Sequence, residues 1–359
     1  MPLPTIPEYS SSIRTPGLII PDILRGGHPL KKGERVIKYS GGFCVVFPFV
    51  TSKKKYAVRC WHAEIQDAKK RTKKIADALK SCQLPYFVGF EYYENGITMQ
   101  QGKQPIVVMD WIDAKPLKKF IGENINNAHK IQSIADNFKK MVADLHQNHL
   151  SHGDLQHGNI LVKEDCSLVL VDYDSMYVPA LKGMSDDIKG LPGYQHESRI
   201  KNKYLTEKAD YFSELIIYLS LKALAKHHEL WRMLNIENTE TFLFTEEDLS
   251  SKGTAPIFDK LRNDPELTPL VEKLCDFLKK RSIEELQPLE IAISTGVNHP
   301  QPIANTPAPS KIPQKTIIEK IATGWEKGNG YSPKKEEAKK KDKSEQIIKK
   351  ITEEFRSPQ

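Results

Sequence analysis

Three oxygen-bearing side chains at fixed intervals, Asp154, Asn159 and Asp172, mark the place where this sequence could do chemistry. They lie in His152-Gly153-Asp154-Leu155-Gln156-His157-Gly158-Asn159, followed by Ile160-Leu161-Val162 and then Val171-Asp172-Tyr173-Asp174. Moving a phosphoryl group asks little covalent work of a protein. It needs a carboxylate beside the attacking hydroxyl and hard oxygen ligands that hold Mg²⁺ against the phosphates. Asp154 follows a long helical pattern and precedes a hairpin. Asn159 opens the first hairpin strand and Asp172 ends the second. A tight turn at Glu164–Ser167 therefore brings Asn159 and Asp172 side by side at one end of the hairpin.

The elements that must hold these residues can be read on either side. Upstream, residues 126–149 carry Ile131, Ile134, Ala135, Phe138, Met141, Val142 and Leu145 at helical spacing, a stripe that faces a core. Earlier still, the runs VIKYS, FCVVFPFV and KYAVRCW between Arg35 and Trp61 read as three antiparallel strands. A Lys- and Ala-rich helix follows over Asp67–Lys80, with Asp67 near its start, and two further strands fall near Tyr86–Tyr93 and Pro105–Ile112. Beyond the hairpin the chain is mostly helical, over Lys208–Lys226, Leu230–Leu234 and segments reaching Ile291. A sheet first and helices later predict an α+β fold. Residues 1–30 are aperiodic and read as an extension. Five prolines, at 300, 302, 307, 309 and 313, mark a Pro-rich linker over 293–315, and 316–359 reads as a Lys-rich tail.

The combination resembles the protein kinase superfamily, in particular bacterial-type serine/threonine kinases, whose catalytic loop reads H-R-D-x-x-x-x-N and whose metal loop reads D-F-G. The resemblance covers roughly Lys31 to Ile291 and implies two lobes. An N-lobe over 31–113 would hold a five-stranded antiparallel sheet and one helix, and a mainly helical C-lobe would span 114–292. By the same resemblance Asp154 matches the catalytic carboxylate, and Asn159 and Asp172 match the metal ligands. The cofactors implied are ATP and Mg²⁺ or Mn²⁺. Val108-Met109-Asp110-Trp111-Ile112 resembles the hinge that receives adenine, so Met109, Asp110 and Ile112 are expected at the nucleotide. Gly190-Leu-Pro-Gly-Tyr194-Gln-His-Glu197 resembles the end of an activation segment, with Glu197 in the A-P-E position. Asp210 matches the buried aspartate that supports the catalytic loop.

Departures from the pattern bear on activity. Tyr56-Ala-Val-Arg59 offers Arg59 where the family has a lysine on the phosphates; arginine keeps its cation but not lysine's geometry. A misaimed charge-assisted contact forfeits about 1.5–3 kcal/mol, or roughly 10- to 100-fold in rate. The helix glutamate that should hold this cation is missing. Asp77 stands nearest its place, since Glu64 comes too early. The phosphate-covering turn Tyr39-Ser40-Gly41-Gly42-Phe43-Cys44-Val45 keeps one of three glycines in register, though Gly41 and Gly42 can still let backbone N–H groups approach phosphate. Gly153 removes the H-R-D arginine, so no cation there awaits a phosphorylated loop. With Gln156, the H-G-D form is also similar to aminoglycoside phosphotransferases. Asp174 reads either as a second acidic group near the metal or as a turn residue. His146, His149 and His152 span a helix end and a loop, and His157 shapes the catalytic loop.

Composition narrows the classes. The chain has 359 residues and a net charge of +7, of which +5 falls between Lys311 and Gln359, so a nucleic-acid role is not expected outside that basic tail. Five scattered cysteines with no C-x-x-C pair argue for reduced thiols rather than a disulfide framework or zinc ribbon. The start lacks a signal-peptide pattern, and the most apolar stretch, around Leu215–Leu224, is broken by polar residues. A cytoplasmic protein with a protein substrate and no membrane partner is expected. Three activities stay open: a serine/threonine protein kinase, a pseudokinase or nucleotide-binding module working through partners, and a small-molecule kinase.

Overall fold

The computed structural model describes residues 3–40, 43–63 and 67–294. Gly41 and Gly42, the linker from residue 295 onward and the Lys-rich tail lie outside the described residues.

A six-stranded antiparallel sheet forms the first lobe. Its strands are β1 (His28–Pro29), β2 (Tyr39–Ser40), β3 (Cys44–Val50), β4 (Lys55–Trp61), β5 (Phe90–Met99) and β6 (Gly102–Asp110), in the order β1-β3-β4-β6-β5, with β2 also paired to β3. The sixth strand comes from the segment expected to be a mere extension. The anticipated VIKYS strand, residues 36–40, is split in two, because Val36 pairs with Lys31 in a separate small hairpin before Tyr39 joins the sheet. Side chains along β3 alternate between faces, as a pleat requires. Cys44 and Val46 enter the core shared with the helices, whereas Val45, Phe47 and Phe49 enter a second core on the opposite face.

That second core is closed by the N-terminal residues. Helix α1 (Ile6–Ser12) starts in a capping box in which Thr5 and Glu8 satisfy each other's backbone N–H groups. It buries Tyr9, while Ile13 and Leu24 complete the cover over Ile97, Met99 and Ile106. A sheet face that would otherwise meet water is thereby apolar and dry.

Helix α2 (Ala68–Cys82) packs beside β5. Its first turn is entered from Asp67, near the start the sequence indicated, in a left-handed conformation and with no side-chain cap. The second lobe is built on α3 (Ala128–Gln147) and α4 (Tyr211–Lys226), with α5 (Thr268–Phe277) and α6 (Leu289–Ser294) alongside. Strands β7 (Lys115–Pro116), β8 (Ile160–Val162) and β9 (Leu168–Leu170) make the small sheet of the hairpin, in the order β9-β8-β7. The β8–β9 register pairs Ile160 with Leu170, so Asn159 and Val171 face each other just outside it, joined by Val171 N donating to Asn159 O at 3.0 Å.

α3, α4 and α6 share an ion cluster whose Glu214 is buried and whose Glu290 lies at its solvent edge. His146 stands between Glu214, at 2.8 Å, and Glu290, at 2.9 Å. Burial alone would favour the neutral imidazole, but the two carboxylates outweigh it and raise His146 to about 9. Glu214 is itself pushed up, to about 7, since burial costs its charge more than the imidazolium returns. Both folded values exceed the ordinary ones. The proton-linked stability is therefore complete below those ordinary values and is lost as pH rises through about 7 and then about 9. A denaturant series should show the chain losing about 1–3 kcal/mol across that window. His146→Gln/Glu214→Gln, which keeps polar groups in place, should flatten the slope; an unchanged slope in the double variant would refute the assignment.

Candidate active site

The hairpin end and the loop before it form one hydrogen-bonded unit. Asn159 Nδ2 donates to the Asp154 backbone O at 2.9 Å and to Asp154 Oδ2 at 3.0 Å. Both amide hydrogens being used in this way, the Asn159 oxygen faces away from Asp154 and is the atom able to meet a cation. Asp154 Oδ1 accepts from Leu191 N at 2.8 Å. Burial raises the Asp154 pKa, and the Leu191 N–H works against that rise. A carboxylate has about four lone-pair sites, so each oxygen keeps capacity for a substrate hydroxyl.

Asp172 sits beside this unit in a left-handed conformation, φ 67°, where a residue other than glycine is uncommon. Its Oδ1 is buried without a hydrogen-bond partner. Burial, then the charges of Asp174 and Asp154, raise its pKa to about 7. A buried carboxylate oxygen with no donor, next to a second carboxylate and an outward amide oxygen, is a donor set that suits a hard divalent cation. The residues present fit Mg²⁺, which Asp172 and Asn159 would hold.

Supporting contacts fix the loop from below. Asp210, 1% exposed, accepts from Gly153 N at 2.9 Å through Oδ1 and from His152 N through Oδ2. The His152 ring meets Val171 O at 2.9 Å, tying the loop to the hairpin. Tyr173, buried between Phe87, Phe90 and His152, donates from its hydroxyl to Leu170 O at 2.7 Å and accepts from Val88 N at 3.0 Å. These two bonds explain why a tyrosine occupies the place of the metal-loop phenylalanine: its ring fills the core and its hydroxyl satisfies two backbone groups. His157 Nδ1 lies 2.6 Å from the Tyr194 hydroxyl, the loop-shaping contact its position suggested.

Two expected supports are not where the resemblance implied. Asp77 is exposed on α2, whose inward residues are Arg71, Thr72, Ile75, Ala76 and Leu79. Among the described residues, Asp174 brings a carboxylate to Arg59. Glu197 is likewise at the surface, its side chain 70% exposed and 3.8 Å from the ammonium of Lys252. The buried charge pair of this segment is Arg199 with Asp186, each side chain 1% exposed. Arg199 also donates to Gly153 O and Gln195 Oε1, so it braces the catalytic loop from the activation segment. Neither residue is legible in the sequence, because Asp186 and Arg199 stand 13 residues apart and only the fold makes them neighbours. Arg199→Met leaves Asp186 buried with Lys189, at 3.1 Å, as its remaining cation. We expect about 2–4 kcal/mol of lost stability in urea unfolding. Arg199→Met/Asp186→Leu should be milder than the sum of the single changes, and strict additivity would argue against a coupled pair.

The hinge residues lie at the end of β6. Met109 is buried in the core, Asp110 donates its N–H to Gly89 O at 2.9 Å while its carboxylate meets Lys54 at 2.6 Å, and Ile112 follows the strand, half-buried. Gln156 turns back on its own loop, accepting from Gly158 N at 2.7 Å.

A two-lobed fold with a carboxylate, an amide and a second carboxylate gathered between the lobes defines a class of metal-dependent phosphoryl-transfer domain. A family model described as "Protein kinase domain" matches residues 40–284, and the chain belongs to that family. It is similar to the serine/threonine-protein kinase pakG of Dictyostelium discoideum, 24% identical over 178 residues, which is 48% of this chain and 15% of that protein. The chain thus matches only a small part of that relative's length. Membership implies use of ATP with a divalent metal, and no helix among the described residues is long and apolar enough to cross a membrane.

Proposed function

We propose that the chain is an ATP-dependent protein kinase that transfers the γ-phosphoryl group to serine or threonine hydroxyls of a protein substrate. The observation that carries this reading is the Asp154–Asn159 unit set beside the orphaned Asp172 oxygen. Bound Mg²⁺ would neutralise the phosphate charge and orient the β- and γ-phosphates. Asp154 orients the attacking hydroxyl and takes its proton, Asn159 and Asp172 hold the metal, and Arg59 steadies phosphate oxygens. Gly190-Leu191 supports a protein substrate over a small molecule: it lies against Asp154, where a peptide chain would have to pass. The similarity to a protein named as a serine/threonine kinase supports those hydroxyls over tyrosine. The substrate and the cytoplasmic setting belong to the same proposal.

A specific feature favours the pseudokinase as second reading. Gln156 places no cation in the catalytic loop and spends its side-chain oxygen on Gly158, so the transferring phosphoryl group would depend on Arg59 and metal alone. Purified chain incubated with radiolabelled ATP, Mg²⁺ and a generic basic protein, then hydrolysed to phosphoamino acids, separates the two. We expect Mg²⁺-dependent phosphoserine or phosphothreonine. Nucleotide uptake without any transferred label would select the pseudokinase, and label on aminoglycosides or sugars alone would select the small-molecule kinase.

A further inference from the structure

Arg59 is 2% exposed and would need a partner wherever it stood, because an unpaired buried guanidinium is prohibitively costly. Helix α2, the element beside the sheet, has a single carboxylate, Asp77, and it points to solvent. In the inward position nearest the activation segment α2 carries another cation, Arg71, whose NH2 donates to Ser185 O at 2.8 Å, and Lys74 donates to Ala180 O at 2.6 Å. The helix is therefore tied to the activation segment and has no group to offer Arg59. Asp174 makes that pair instead, from a loop position two residues past Asp172. Tyr173, between them, is locked by its two hydroxyl hydrogen bonds. The Arg59 guanidinium also lies 5.7 Å from the Trp61 ring, over its face.

We propose that Asp174 is the positioning residue for Arg59, so that the phosphate-holding cation and the metal ligand Asp172 are aimed by one loop and not by a helix. The inference rests on the kinase reading above and deepens it. Its consequence is regulatory: displacement of α2 would leave the phosphate grip intact, whereas any movement of residues 172–174 would release grip and metal together.

Mg·ADP, which carries the phosphates that Arg59 would hold and undergoes no turnover, is the probe. Its affinity is measured by titration calorimetry for wild type, Asp174→Asn, Asp174→Glu, Arg59→Met, Asp174→Leu/Arg59→Met and Asp77→Asn. We expect roughly tenfold weaker binding for Asp174→Asn and for Arg59→Met, and no more than that for the double variant, since its two changes remove one device. Asp174→Glu should recover part of the loss and Asp77→Asn should match wild type. The apolar double variant keeps the test informative if Asp174→Asn alone fails to fold, because it leaves no buried charge unpaired. Additive losses, an unaffected Asp174→Asn, or an equal effect of Asp77→Asn would overturn the proposal. So would a rise in the Mg²⁺ requirement in Asp174→Asn exceeding that in Arg59→Met, which would make Asp174 a metal ligand. Wild type that binds Mg·ADP beside insensitive variants sinks the positioning role alone; wild type that takes up none sinks the kinase reading and this role with it.

Discussion

Asp154→Asn should lower phosphoryl transfer by about 10²- to 10⁴-fold, the usual loss when a positioned general base is removed, while Mg·ATP is still taken up. An amide cannot take the hydroxyl proton, and it cannot orient the nucleophile by accepting as strongly. The change also touches the local network. Asp154 accepts from Leu191 N on one oxygen and from Asn159 Nδ2 on the other, and an amide can accept on only one side. One donor is left without its acceptor, at about 1–3 kcal/mol. Against that stands relief from burying a charge whose pKa the site already raises. The two effects oppose each other, so the unfolding midpoint should move little while the rate collapses. Steady-state rates with labelled ATP, read beside urea unfolding curves, check both halves. A variant within a few-fold of wild-type rate would remove Asp154 from the chemistry.

Gly153→Ala should destabilise the chain by about 3–5 kcal/mol, and Gly153→Arg, which would restore the arginine of the family motif, by at least as much. Gly153 has φ 76°, a conformation that costs a side-chain-bearing residue about 1 kcal/mol. Steric contact costs more than conformation here. A Cβ built at this position lies 2.0 Å from the backbone oxygen of Ser175, an atom that cannot swing aside because Ser175 follows the anchored metal loop. Gly183 provides the internal comparison, with φ 84° and nothing within 4 Å of a built Cβ. Gly183→Ala should cost only about 1 kcal/mol. Equal losses at the two positions would mean that conformation, and not the Ser175 contact, sets the requirement for glycine. The missing motif arginine then has a physical cause. The backbone turn at 153 is packed against the metal loop too closely for any side chain, and Arg199 supplies the brace from the other side.

How far the sequence speaks depends on how local each arrangement is. Asp154, Asn159 and Asp172 were legible because one helix end and one short hairpin decide their placement, and both leave clear periodic and turn signals. The Asp210 support was legible through its resemblance to the family helix, and the structure puts it on Gly153 N and His152 N. Asp77 failed through helical phase. It lies two residues from Ile75, and two residues turn an α-helix by about 200°, away from the stripe of Arg71, Ile75 and Leu79. Asp174 left only a partial signal, an acidic residue in place of a small one two positions past Asp172, and a sequence read without the fold could not turn it toward Arg59. Arg199 and Asp186 left no such trace, since their pairing depends on a loop conformation that no local pattern encodes. The N-terminal segment carried a real signal, Thr5-Ile-Pro-Glu8 ahead of Tyr9 and Ile13, too short for periodicity but sufficient as a capping box.

Calorimetric titration of Mg·ATP into wild type and Asp172→Ala tests most directly whether Asp154, Asn159 and Asp172 surround one metal-bound triphosphate. Wild type should bind with an affinity that falls steeply when Mg²⁺ is chelated, and Asp172→Ala should lose that metal dependence together with most of the affinity. Binding that is as tight in Asp172→Ala as in wild type, or equally tight without metal, would contradict the account.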